Sequence, residues 1–150
     1  MELELDSIYT ETIIEQSTSK RNKRNLENPS IVLEGKNPSC GDEIRLELLV
    51  KDGIVKDASF TGVGCAISQA STSIMIDLIK GKPFETAEKL SELFISMIQR
   101  KVTDDEELEP LEEAAVLKNI SNMPARVKCA TMPWHTLVHA IDSVKQAGAD

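Results

Sequence analysis

The sequence predicts an α+β domain, a small antiparallel three-stranded sheet packed by helices. Two observations carry that expectation. Residues 44–50 alternate, with Ile44, Leu46, Leu48 and Val50 set against Arg45 and Glu47, and an Asp52-Gly53 turn leads into a return run from Ile54 to Thr61. After Gly62-Val63-Gly64 the apolar spacing lengthens to three and four residues, the period of a helix. Strands first and helices afterwards is the order of an α+β chain, and 150 residues suit one modest core. We expect one domain over 1–150, with an N-terminal helix and polar loop over about 1–30 and a core over about 31–147.

The elements follow in order. Leu5 to Glu15, carrying Ile8, Ile13 and Ile14, reads as a short amphipathic helix, and Ser17 to Asn28 as a polar, basic loop. Ile31 to Glu34 supplies the third strand. Lys51-Asp52-Gly53 suits a tight hairpin because Asp and Gly accept positive φ. Ile67, Ala70, Ile74 and Leu78 share one helical face, and Gly81 with Pro83 ends that helix. A second helix carries Leu90, Leu93, Phe94, Met97 and Ile98. Asp104 to Glu109 is an acidic connector. Pro110 opens a further helix with Leu111, Ala114 and Ala115 inward, and the last helix is expected after Pro133, using Leu137, Val138, Ile141 and Val144. Aromatics are 3% of the chain, so Leu, Ile, Val, Ala and Met must build the core.

Composition narrows the function. A formal net charge of −8 argues against nucleic acid as a partner and against an anionic membrane surface. No apolar run approaches the ~20 residues of a membrane-crossing helix. Met1 to Asp6 is acidic and alternating, unlike a secretory signal, so a cytoplasmic protein is expected. Three widely spaced cysteines do not make a disulfide framework. Thiolate chemistry or metal binding is the better use for them.

All three thiols fall near expected element ends. Cys40-Gly41-Asp42 precedes the central strand, Cys65 stands where the return strand gives way to a helix, and Cys129 lies between Pro124 and Pro133, at an expected loop–helix boundary. The hairpin alone brings the Cys40 and Cys65 loops to one end of the sheet. Cys129 is not placed by that argument. Three sulfurs and the Asp42 carboxylate would suit tetrahedral zinc. With no Cys-x-x-Cys pair, the alternative is three small buried hydrophobes, a common fate of free cysteine. For Asp42 the alternative is a turn bond to nearby backbone N–H groups.

The residues around these thiols carry a resemblance. Asn37-Pro38-Ser39-Cys40-Gly41-Asp42-Glu43-Ile44-Arg45-Leu46 resembles the first ligand loop of the SufU/IscU family of iron–sulfur cluster assembly proteins. Ala58 through Ser68 resembles its second loop, and Pro124-Ala125-Arg126-Val127-Lys128-Cys129-Ala130 its third cysteine region. The similarity covers about residues 6 to 147 and is of the SufU type. Lys128 stands where the scaffold type has His, and the span between Cys65 and Cys129 is extended. One departure is in the N-terminal region. Where the family has a His-Tyr-x-Asn-Pro-Arg-Asn run, this chain reads Gln16-Ser17-Thr18-Ser19-Lys20-Arg21-Asn22, keeping only Arg21-Asn22.

The resemblance implies a SufU/IscU-like fold and zinc held by Cys40, Asp42, Cys65 and Cys129. It further implies a sulfurtransferase in which Cys40 accepts persulfide sulfur from a cysteine desulfurase, for delivery to downstream iron–sulfur assembly proteins. During transfer, a histidine of the desulfurase would take over the zinc position that Cys40 vacates. A cluster scaffold on the same residues is the alternative, and a structural zinc module a third reading. Arg126 and Lys128 flank the third cysteine and read either as screens for an anionic centre or as solvated charges. His135 and His139, spaced i, i+4, share a helix face but lack the Glu of a metalloprotease motif. The Lys20 to Arg24 cluster reads as a solvated loop or a docking patch. Trp134 packs against the site or covers the last helix.

Overall fold

The computed structural model describes residues 11–147. Residues 11–18 form helix α1, followed by three strands: β1 (Ile31–Asn37), β2 (Asp42–Lys51) and β3 (Ile54–Val63). The sheet has order β1-β2-β3 and both pairings are antiparallel, with Asn37 opposite Asp42 and Glu43 opposite Val63. Helices α2 (Ala66–Ile79), α3 (Phe84–Ile98), α4 (Asp105–Leu108) and α5 (Pro124–Gln146) follow, with a 3₁₀ run over Glu109–Asn122 between the last two. This is the α+β arrangement the alternation and the later helical spacing predict.

The core sits between the sheet and the helices. Ile44, Leu46, Leu48 and Val50 are all buried, as their period-two spacing requires. Asp52 and Gly53 have φ of 55° and 73°, the two positive values of a type I′ turn. Burial on α2 extends well beyond the predicted stripe: Ser68, Gln69, Ser71, Thr72 and Ser73 are buried too, because α5, the 3₁₀ run and β3 all pack on it. Phe94 of α3 stacks on Trp134 of α5 with ring centroids 4.1 Å apart, and removing either ring should cost about 3–5 kcal/mol. The Trp134 indole Nε1–H donates to Ser71 Oγ at 2.9 Å, and that hydroxyl donates to the Ala130 carbonyl at 2.6 Å. Trp134 is thus a core residue joining α2 to α5.

Four boundaries differ from expectation. Helix α1 runs on through Thr18, where the Ser17 and Thr18 hydroxyls donate to the Ile14 carbonyl; Ile8 lies outside the described residues. The acidic connector coils into α4, because Asp104 caps it by accepting from the Glu106 N–H at 3.1 Å. The segment opened by Pro110 is 3₁₀ rather than α and is broken at Glu112, whose φ is 51°; Leu111 and Ala114 are nonetheless buried. Finally, α5 begins at Pro124 and continues straight through Pro133. Proline lacks the N–H that would bond the Cys129 carbonyl, yet the helix persists because Pro133 and its neighbours are packed on the core. Cys129 therefore lies inside a helix, not at a loop–helix boundary.

The polar N-terminal loop is fastened to the core. Asn22 is fully buried, its Nδ2 donating to the Ser73 carbonyl, Ser73 Oγ and Asp77 Oδ1, while Arg21 pairs with Asp77 at 2.5 Å. The Arg-Asn pair retained from the family run therefore clamps this segment to α2. Leu26 N–H reaches the buried Glu47 carboxylate at 2.9 Å. Among the described residues no helix is long and apolar enough to cross a membrane.

Candidate metal centre

Each functional side chain is placed by a local constraint. Residues 38–41 close the β1–β2 hairpin, with the Cys40 N–H donating to the Asn37 carbonyl at 3.2 Å and Gly41 at φ 70°, a value glycine adopts freely. Cys40 is half-buried on this loop, and Asp42, the first residue of β2, is buried. At the neighbouring strand end, a Cβ on Gly64 would lie 2.7 Å from Asp42 Oδ1, so only glycine lets β3 close over that carboxylate. Cys65 is the residue before the first turn of α2 and makes no side-chain cap bond, which leaves its thiol free. Cys129 is fully buried in the second turn of α5.

The groups converge at one end of the sheet. The ligand atoms of Cys40, Asp42 and Cys129 all lie within 4.8 Å of one another. The Cys129 thiol donates to Cys40 Sγ at 3.0 Å, and Cys65 Sγ lies outside that mutual set. Asp42 is held on both oxygens: Oδ1 accepts from the Cys65 N–H at 2.9 Å and the Ser68 hydroxyl at 3.1 Å, and Oδ2 from Asn37 Nδ2 at 3.1 Å. Asn37 Nδ2 also lies 3.6 Å from Cys129 Sγ.

The electrostatics follow. Burial alone would push the Asp42 carboxyl up, but the donors from Cys65, Cys129, Asn37 and Ser68 outweigh it and hold its pKa below the usual carboxylate range. Burial pushes the Cys129 thiol well up, and the adjoining Cys40, Asp42 and Cys65 groups push it further. These surroundings favour the protonated Cys129 thiol, the form that donates to Cys40 Sγ. Arg126, exposed on the first turn of α5, points its Nη1 to 4.0 Å from Cys40 Sγ. Its pKa is raised, first by hydrogen bonding to Cys129 and then by the nearness of the other sulfurs.

Not every candidate lies here. Lys128 faces a neighbouring groove between β1 and α5, together with His135 and His139. Asn37 and Ser68, by contrast, are residues of the centre that side-chain chemistry did not flag. Asn37 stands at the head of the Cys40 loop and Ser68 three positions after Cys65, so proximity to the thiols was the available signal.

A small α+β domain that turns three thiols and a carboxylate toward one end of its sheet belongs to the class of soft-ligand centres carried on a rigid scaffold. More particularly, the chain belongs to the NifU-like N terminal domain family, whose model matches residues 8–147, and within it to the SufU/IscU group. It is 45% identical over 133 residues to the zinc-dependent sulfurtransferase SufU of Bacillus subtilis, covering 89% of this chain and 88% of that one. It is 40% identical to the iron–sulfur cluster assembly scaffold protein IscU of Thermotoga maritima, over 93% of this chain and 96% of the other. A crystal structure from Fervidobacterium islandicum, described as a SUF-system cluster assembly scaffold protein, is similar with a TM-score of 0.81 and 40% identity, covering 90% of this chain and 97% of that one.

Proposed function

We propose that this chain is a zinc-dependent sulfurtransferase of iron–sulfur cluster assembly, working in the cytoplasm. In this reading Cys40 accepts persulfide sulfur from a cysteine desulfurase and passes it to downstream iron–sulfur assembly proteins. The observation that carries the reading is the convergence of Cys40, Asp42 and Cys129 within 4.8 Å, in a chain 45% identical to a protein named as such an enzyme. The donor set fits zinc. Sulfurs of Cys40, Cys65 and Cys129 with one oxygen of Asp42 fill four positions, whereas calcium or magnesium calls for oxygen throughout. Zinc, when bound, keeps thiolates ionised near neutral pH without redox chemistry of its own.

The chain's own residues then divide the work. Cys129 is closed inside a helix, and of the two half-buried thiols Cys65 is fixed at the start of α2 while Cys40 rides a hairpin loop, so Cys40 is the thiol that moves to meet the donor. Its thiolate attacks the outer sulfur of the donor persulfide. The donor's S–S bond breaks, its electron pair returns to the donor cysteine, and Cys40 carries the new persulfide. Arg126, 4.0 Å from Cys40 Sγ, offsets the negative charge gathered there. Asn37 and Ser68 keep the Asp42 carboxylate oriented toward the sulfurs.

Metal analysis of protein purified without added zinc should find about one zinc per chain. Single-turnover transfer followed by peptide mapping should place the extra sulfur on Cys40, and Cys40→Ser should abolish transfer. Sulfur on Cys129, with Cys40→Ser retaining zinc and full transfer, would overturn the assignment. The scaffold reading draws support from the Thermotoga maritima relative named IscU. Stoichiometric iron with visible cluster absorption in aerobically purified protein would favour it over zinc.

A further inference from the structure

Between β1 and α5 runs a groove of about 450 Å³ that the chemistry above leaves unused. Glu34, Lys36 and Asn37 line it from the strand, and Lys128, His135 and His139 from the helix. Gly35 sets its floor. A Cβ there would run into the Thr136 hydroxyl and the Met132 sulfur, so the strand lies directly on the helix and the longer side chains on either side form walls. In a chain of net charge −8, this one groove gathers two lysines and two histidines against a single glutamate. Lys36 meets Glu43 only at 3.8 Å, with both side chains more than half exposed, and none of the ion pairs among the described residues involves Lys128. Lys128 therefore faces the groove outside any ion pair among the described residues and Lys36 in a loose one, with Glu34 the carboxylate that shares the lining. His135 is exposed at the groove, and partial desolvation there, with the His139 charge beside it, lowers its pKa. The end wall is Asn37, whose amide touches both Asp42 and Cys129. Asn37 is thus where the groove meets the thiol centre; the cysteines do not line it, and Cys40 Sγ lies 3.0 Å from the buried Cys129 Sγ behind that amide.

We infer that this groove binds a small anionic thiol, its carboxylates against Lys36 and Lys128 and its sulfur toward the Asn37 end, and that this thiol takes sulfur from Cys40. The volume is that of a small-molecule site, which favours such a ligand over a protein segment. The acceptor role rests on the sulfurtransferase reading; the binding site does not. In the transfer, the acceptor's thiolate attacks the outer sulfur of the Cys40 persulfide. The bond from that sulfur to Cys40 Sγ breaks, and the electron pair stays on Sγ as thiolate. The acceptor leaves as a persulfide, its thiol proton has gone to solvent, and no oxidant or reductant enters.

Two arms test this. S-methylglutathione, a tripeptide with two carboxylates and no free thiol, should shift the His135 and His139 imidazole resonances saturably. Lys36→Glu should raise its half-saturation about tenfold, the scale of one charge contact reversed. No saturable shift, or an unchanged half-saturation in the variant, overturns the site. In the second arm, the persulfidated protein should discharge to glutathione with saturation and to uncharged β-mercaptoethanol linearly. Lys36→Glu should weaken only the former. Linear discharge to both thiols overturns the acceptor role. Discharge to neither thiol, with S-methylglutathione still bound, overturns the acceptor role and leaves the anion site standing, whereas failure of Cys40 to take up persulfide from a desulfurase at all overturns the sulfurtransferase reading.

Discussion

At the turn end of the β2–β3 hairpin, Asp52 and Gly53 are held by backbone alone. Phe84 N–H donates to the Gly53 carbonyl at 2.8 Å, Val55 N–H to the Lys82 carbonyl at 3.0 Å and Gly81 N–H to the Val55 carbonyl at 2.7 Å. At the thiol end of the same strands, the fastening is by side chains. One buried carboxylate, Asp42, collects donors from Cys65, Ser68 and Asn37, and two sulfurs close beside it. The difference teaches where stability and function have been separated. Backbone bonds do not depend on what is bound, whereas a cluster of thiols and one carboxylate is incomplete without a cation.

Removing the metal should widen this difference most visibly. Because binding free energy becomes folding free energy, chelation should cost at least about 3 kcal/mol, or about 6–12 °C in Tm for a chain of this size. Hydrogen exchange read residue by residue should show Glu43 and Cys65 amides losing protection while Val55, Gly81 and Phe84 keep theirs. Equal loss at both ends would erase the distinction. A smaller effect is expected from Asn37→Ala, which leaves Asp42 and Cys129 without a shared donor. Urea unfolding should register a loss of about 1–3 kcal/mol, and metal affinity should fall about 10–100-fold. An unchanged affinity would make Asn37 a residue of the hairpin only.

The smallest effect should come from the middle of β3. Burial would raise the Asp57 carboxyl, but Arg24 at 2.8 Å, the Ala58 N–H at 2.8 Å and Lys80 at 3.4 Å lower it below the usual carboxylate range. A carboxyl whose folded pKa is depressed stabilises the fold above its unfolded pKa, about 3.9, and that contribution fades as pH falls toward the lower folded value. Asp57→Asn should therefore reduce stability by a fraction of a kcal/mol to about 1 kcal/mol near neutral pH, because the pair is partly exposed. The difference from wild type should vanish in acid. A constant difference down to the lowest pH that keeps the fold would assign the effect to shape, not charge.

The hairpin was legible because one face of β2 is buried, which forces period two on Ile44 to Val50, and because Asp-Gly is the chemistry a two-residue turn demands. The meeting of the Cys40 and Cys65 loops followed from that hairpin. Cys129 did not, since no local pattern says that α5 lies across β1. Pro133 misled for a related reason. Its rule describes an isolated helix, and here packing of Pro133, Trp134 and Leu137 on the core overrides the lost hydrogen bond. Asn37 and Ser68 escaped notice because neither is titratable, and their role appears only when strand register sets Asn37 opposite Asp42. The groove beside them was invisible for the same reason: its two walls come from β1 and α5, at opposite ends of the described chain.

The Ser71 hydroxyl, accepting from Trp134 and donating to Ala130, also has a mechanical consequence. It rivets α2, which begins just after Cys65, to α5, which contains Cys129, so those two thiols share one stiff plate. Cys40 hangs from a short strap whose Gly41 has open space where a side chain would be. Strain applied at this end of the sheet therefore accumulates at that one hinge. The order in which contacts yield is set by compliance, with the Cys40 corner first and the riveted pair last.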